Sequence, residues 1–86
     1  MIHKGQVIKV QRADFVAGYM LRLTFNDGLA QEVDFYPFLS RSSNPLIRAY
    51  LGKAKFMQFE VNDGDLEWND YDLCFPVADL HENNVD

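Results

Sequence analysis

Eighty-six residues, 48% of them hydrophobic and 14% aromatic, are enough for one packed core and argue against both a second domain and a disordered chain. A single cysteine excludes a disulfide framework and a cysteine-based zinc site. No apolar run approaches the ~18 residues of a membrane span, and the opening MIHKGQ lacks an apolar signal core, so a soluble, cytoplasmic domain is expected.

The net charge of −5 hides a split. Residues 1–55 contain all eight Lys and Arg and only Asp14, Asp27, Glu32 and Asp34 as acids, whereas residues 56–86 contain nine acids and no Lys or Arg. Such asymmetry marks a charged partner surface, or two halves that neutralise each other once folded.

In chain order, Val7, Ile8 and Val10 are β-branched and predict a first strand, with Lys4, Lys9 and Arg12 as edge charges. Tyr19, Leu21, Leu23 and Phe25 then alternate with Met20, Arg22 and Thr24, as in a half-buried strand. Asn26-Asp27-Gly28 supplies hairpin turn chemistry, and Leu29, Gln31, Val33 and Phe35 form the returning face. Asn44 as cap, Pro45 at the first position and Gly52 as a left-handed stop predict a short helix over residues 45–51. Its pairs Leu46/Tyr50 and Ile47/Leu51 would lie on the sheet, with Arg48 opposite. Met57, Phe59 and Val61, a turn at residues 62–65, and Leu66 with Trp68 predict a second hairpin, with Trp68 in the core. Residues 71–81 read as a loop with one helical turn, and residues 82–86 as a frayed tail.

The order β-β-β-α-β-β makes an α+β domain. Its expected form is a mostly antiparallel sheet of about five short strands with one short helix packed on it. Along this pattern Val7 and Val10, Leu21-Arg22-Leu23-Thr24-Phe25, Asp27-Gly28, Val33-Asp34, Phe56, Val61, Leu66, Trp68, Asp72-Leu73 and Pro76 resemble a family of small bacterial proteins, domain of unknown function 2442. The resemblance spans roughly residues 6–80 and departs at Asn69-Asp70-Tyr71, where that family commonly carries a Pro-x-Gly-like stretch. It implies a small α+β fold and a bacterial source. Its relatives, joined to helix-turn-helix domains or beside toxin-like genes, imply a regulatory or antitoxin-like accessory role. The shared residues are turn and core positions, which specify a fold and not a chemistry.

The polar residues give little chemistry. Cys74, between Leu73 and Phe75 with no basic neighbour, reads as a buried structural cysteine. His3 reads as a mobile terminal residue and His81 as the fringe of the last turn. An EF-hand loop through Gly64 would put Phe59 at the first ligand position, so the acids there read as turn residues. The five glycines form no phosphate loop, and Ser40, Ser42 and Ser43 lack a positioned base. No catalytic, cofactor-binding or metal-binding residue is assigned. Lys9, Arg12 and Arg22, or Arg48, Lys53 and Lys55, could form basic patches, but the acidic balance disfavours direct nucleic-acid binding.

Phe15, Tyr36, Phe38, Tyr71 and Phe75 fall in connections, where they plug the ends of the sheet or form an aromatic patch. The expectation is a non-enzymatic protein-protein interaction module. Its partner surface is Asp63, Asp65, Asp70, Asp72 and Tyr71, its partner is basic, and a weak homodimer forms through an exposed strand edge. Its rivals are an antitoxin-like or transcription-linked regulatory accessory, and a small ligand-binding domain or enzyme.

Overall fold

A computed structural model describes residues 7–85. His3, Lys4 and Asp86 lie outside the described residues. Strands β1 (Val10–Ala17), β2 (Met20–Phe25) and β3 (Ala30–Asp34) form one antiparallel sheet in the order β1-β2-β3. Three short helices follow, α1 (Tyr36–Arg41), α2 (Pro45–Arg48) and α3 (Lys53–Phe56), with a 3₁₀ turn (Ala49–Leu51) before the last. Strands β4 (Phe59–Asn62), β5 (Asp65–Trp68) and β6 (Leu73–Cys74) make a second antiparallel sheet, and α4 (Val77–His81) follows it.

The class is α+β, but among the described residues the expected single sheet of about five strands is two sheets of three, and the expected single helix is four short ones. Alternation fixes which face of a strand is buried, not which edge it pairs with. The sheets meet where Val10 N donates to Gly64 O at 2.9 Å and along a shared apolar core.

The first hairpin follows its sequence pattern. Leu21, Leu23 and Phe25 are fully buried, Arg22 is exposed, and Leu21 pairs with Val33. The turn uses Gly28 at φ 92°, and Asp27 Oδ1 accepts from Leu29 N at 3.0 Å. The first strand begins later than expected, at Val10, and runs to Ala17, so that Phe15 lies in it and not in a connection. Asn26 takes up the chain before it, accepting from Lys9 N at 3.0 Å and donating to Val7 O at 2.8 Å. Val7 is left exposed.

The helical region also departs from expectation. Asn44 does cap α2, its side chain accepting from Leu46 N at 2.9 Å, but the helix tightens to 3₁₀ after Arg48. Gly52 is extended at φ −69° instead of left-handed, and α3 starts from it. With that tightening, Leu46 and Tyr50 no longer share a face: Leu46 is exposed and Tyr50 fully buried.

The core is centred on Trp68. Its indole Nε1 donates to Phe56 O at 2.7 Å, and its ring lies 5.5 Å from Phe35, 5.9 Å from Phe56 and Phe75, and 6.2 Å from Tyr50. Rings from the end of β3, the 3₁₀ turn, α3 and the stretch after β6 thus converge on one side chain. Of the aromatics expected in connections, Phe75 is buried and meets Phe38 edge-to-face at 5.0 Å, whereas Phe15, Tyr36 and Tyr71 are exposed. The stretch expected to fray is tied down as far as Val85, which is buried. Asn84 N donates to Asp79 O at 2.8 Å, and Asn83 Nδ2 to Glu32 O at 3.2 Å. Among the described residues no helix is long and apolar enough to cross a membrane.

Candidate functional site

The outer face of the second sheet concentrates acids. On β5, Leu66 and Trp68 face the core, so Asp65 and Glu67 share the opposite side, with Glu60 across from Glu67 on β4 and Cys74 across from it on β6. Glu67 is 2% exposed, the one charged residue buried as a whole among the described residues. Its Oε1 accepts from Tyr71 N at 2.8 Å. The Tyr71 hydroxyl donates towards Asn62 O at 3.1 Å and Asp65 Oδ2 at 3.3 Å, fastening the β5–β6 loop over the face. Desolvation, reinforced by Asp65, pushes the Tyr71 phenol up from its ordinary pKa.

That loop holds three consecutive residues at positive φ, Asn69 (52°), Asp70 (58°) and Tyr71 (67°). Asn and Asp tolerate the left-handed region, but a tyrosine there is uncommon and has to be held. The Glu67 carboxylate supplies the hold. At the neighbouring hairpin, Asp63 (φ 53°) and Gly64 (φ 85°) form the turn.

Of the expected surface residues, Asp65 and Tyr71 are brought into contact, and Asp63 and Asp70 are exposed turn residues. Asp72 is drawn elsewhere. Its Oδ2 accepts from the Tyr50 hydroxyl at 2.8 Å, and that hydroxyl accepts from Asn69 Nδ2 at 3.0 Å. Sequence reasoning missed Glu67. Its only signal was its place between Leu66 and Trp68, which marks an outward residue and does not reveal the loop that covers it.

Most of the cations described in the first half have partners away from this face. Arg12 pairs with Asp14 at 2.9 Å and Arg22 with Glu32 at 2.5 Å, both on the outer face of the first sheet. Arg48 donates to Ser40 O at 2.6 Å. Lys53 donates to Gly18 O and lies over the rings of Phe15 and Tyr19, and Lys55 lies over Tyr50. Lys9 lays its stem along Gly64. The partners described for Asp65, Glu67 and Asp72 are instead hydroxyls and one amide.

Cys74 is exposed, which corrects the expectation of a buried cysteine. Leu73 and Phe75 take the inward positions of the alternation and leave Cys74 facing out. Partial burial, with Asp65 and Glu67 nearby, pushes its thiol up, away from the reactive thiolate. It also lines a cavity of about 210 Å³ with Phe38, Phe75, Pro76, Asp79 and Val85. No three His, Cys, Asp or Glu side chains among the described residues are placed to hold a metal ion.

His81, expected only to fringe the last turn, sits with Nε2 2.8 Å from Asp27 Oδ2 and its ring 4.9 Å from Phe25. Gln31 Nε2 donates to His81 O at 2.8 Å. This cluster ties α4 to the first hairpin. No family model, curated protein or solved structure matches the chain.

Proposed function

We propose that the chain is a non-enzymatic interaction module that presents the acidic face of its second sheet, with Tyr71 at the centre, to a basic protein. The observation that supports this reading is the separation of charge. Arg12, Arg22, Arg48 and Lys53 are engaged by acids, carbonyls and rings of the first half, while Asp65 and Glu67 are held to one half-exposed tyrosine by a hydroxyl and an amide, with Asp63 and Asp70 exposed in the adjoining turns. A field of one sign speeds encounter and selects partners more than it adds affinity, and it repels nucleic acid. The resemblance to domain of unknown function 2442 belongs to the same reading, with the bacterial cytoplasm as setting and an accessory role beside a regulatory or toxin-like partner.

The test is capture of partners by immobilised chain, followed by association kinetics for each captured protein against the parent and the pair Asp63→Asn/Asp70→Asn. Asparagine keeps the left-handed backbone at both sites and removes only charge. The expected result is a basic partner whose association slows several-fold and loses salt dependence in the variant. Equal rates and salt slopes for every captured protein would show the acids to be solubilising only.

A further inference from the structure

We propose that two copies of the chain pair through the outer edge of β1, antiparallel about a two-fold axis at Ala13, giving a continuous six-stranded sheet. The backbone geometry marks that edge. Phe25 N donates across the turn to Leu29 O, so the odd residues of β2 direct their hydrogen-bonding groups to β3 and the even ones to β1. Asn26 N donating to Lys9 O follows the same alternation. Arg12 and Asp14, opposite Thr24 and Arg22, therefore bond to β2, and Ala13 and Phe15, opposite Leu23 and Leu21, turn their N–H and C=O groups outward. Among the described residues, the backbone bond on that outer side is Val10 N to Gly64 O. The stretch from Gln11 onward stays open, and it is exposed or half-buried throughout.

Charge complementarity selects a second copy of this strand as the occupant and fixes its register. About an axis at Ala13, Arg12 of each copy lies opposite Asp14 of the other, and Ala13 faces Ala13 as a hydrogen-bonded pair through its outward groups. Moving the axis one residue either way sets Arg12 against Arg12 or Asp14 against Asp14, which like-charge repulsion disfavours. Arg12 and Asp14 now pair within one strand, both partly exposed, so exchanging partners across the axis needs only side-chain rotation. Register shifts at Val10/Arg12 and at Phe15/Ala17 bound the regular stretch, and Gly64 closes its start, so the ladder is short. A ladder of that length buries well below the ~1,200 Å² of a standard interface, and the dimer is weak.

Sedimentation equilibrium from micromolar to millimolar concentration tests this on the whole chain. The parent's mass is expected to rise from 10.0 kDa towards twice that value. Arg12→Asp and Asp14→Arg should each weaken association about tenfold or more, because a two-fold axis turns both cross-strand pairs into like-charge pairs. The double swap Arg12→Asp/Asp14→Arg restores opposite charges and should recover the parent's behaviour. Ala13→Pro removes the outward N–H without touching a bond to β2 and should give a folded monomer by circular dichroism. A parent that stays at 10.0 kDa throughout, single reversals that associate like the parent, or a swap that fails to recover would overturn the proposal.

Discussion

The two sheets share an inner design and differ on their outer faces. Inside, Leu21, Leu23 and Val33 from one meet Leu66, Trp68 and Leu73 from the other in a common core. Outside, the first sheet carries paired charges, Arg12 with Asp14 and Arg22 with Glu32, whereas the second carries Glu60, Asp65 and Glu67, the last two held to Tyr71. Burial demands apolar residues of every inner face alike and says nothing about the sign of the outer one. The outer faces are therefore where two similar sheets diverge in what they can bind.

If the inner faces form one cooperative core, removing its centre should unfold both sheets together. Trp68→Ala is expected to cost about 3–5 kcal/mol, a large share of the stability of a domain this size. Urea unfolding followed by far-ultraviolet circular dichroism should show one transition, shifted or lost. A variant that melted one sheet and kept the other would break the comparison at its root.

The second sheet's outer face depends on a buried carboxylate, and the first sheet's does not. Glu67→Ala strands the Tyr71 amide and should cost about 1–3 kcal/mol, with faster hydrogen exchange at residues 69–71. Glu67→Gln keeps the acceptor and should lose much less. By contrast Glu32→Ala, which removes an exposed ion pair with Arg22, should stay within about 1 kcal/mol. Equal losses for Glu67→Ala and Glu32→Ala would deny Glu67 its part in holding the loop.

The two hairpin glycines separate backbone strain from crowding. A Cβ at Gly28, φ 92°, meets nothing within 4 Å, so Gly28→Ala should cost about 1 kcal/mol from conformation alone. At Gly64, φ 85°, it would come within 2.9 Å of the Lys9 side chain at the point where the sheets join, so Gly64→Ala should cost more. Matching chemical-denaturation midpoints for the two variants would remove the junction from the account.

The smallest effect is acid-dependent and belongs to the first sheet. The Leu29 amide, then His81, hold the Asp27 carboxyl below its ordinary range. A depressed folded pKa contributes stability that is present above the unfolded value of about 3.9 and is lost as pH falls through the folded one. The stability difference between parent and Asp27→Asn should therefore shrink as pH drops below about 4. A difference that held constant through that range would exclude ionised Asp27 as the tie to α4.

Local features carried much of this structure. The alternation of residues 19–25, the glycine at position 28, the Asn44 cap and the inward Trp68 were legible because each depends on neighbours a few residues away. The outward Cys74 follows the same period of two, set by Leu73 and Phe75, and the pull of its apolar neighbours obscured it. Nothing nearby in sequence links Asp27 with His81, Asn26 with Val7, or Asp72 with Tyr50, since those pairs are made by chain folding over long separations.

By itself the sequence determined the α+β class, the two hairpins, the position of Trp68 and the uneven split of charge, because periodicity, turn chemistry and composition act within a few residues or over the whole chain. Only the tertiary structure decided that the strands divide into two sheets, that Asp65 and Glu67 close on Tyr71, and that among the described residues the edge of β1 beyond Val10 carries no backbone partner. Those outcomes depend on which edges and faces meet, and an edge carries the same N–H and C=O groups whatever its side chains are.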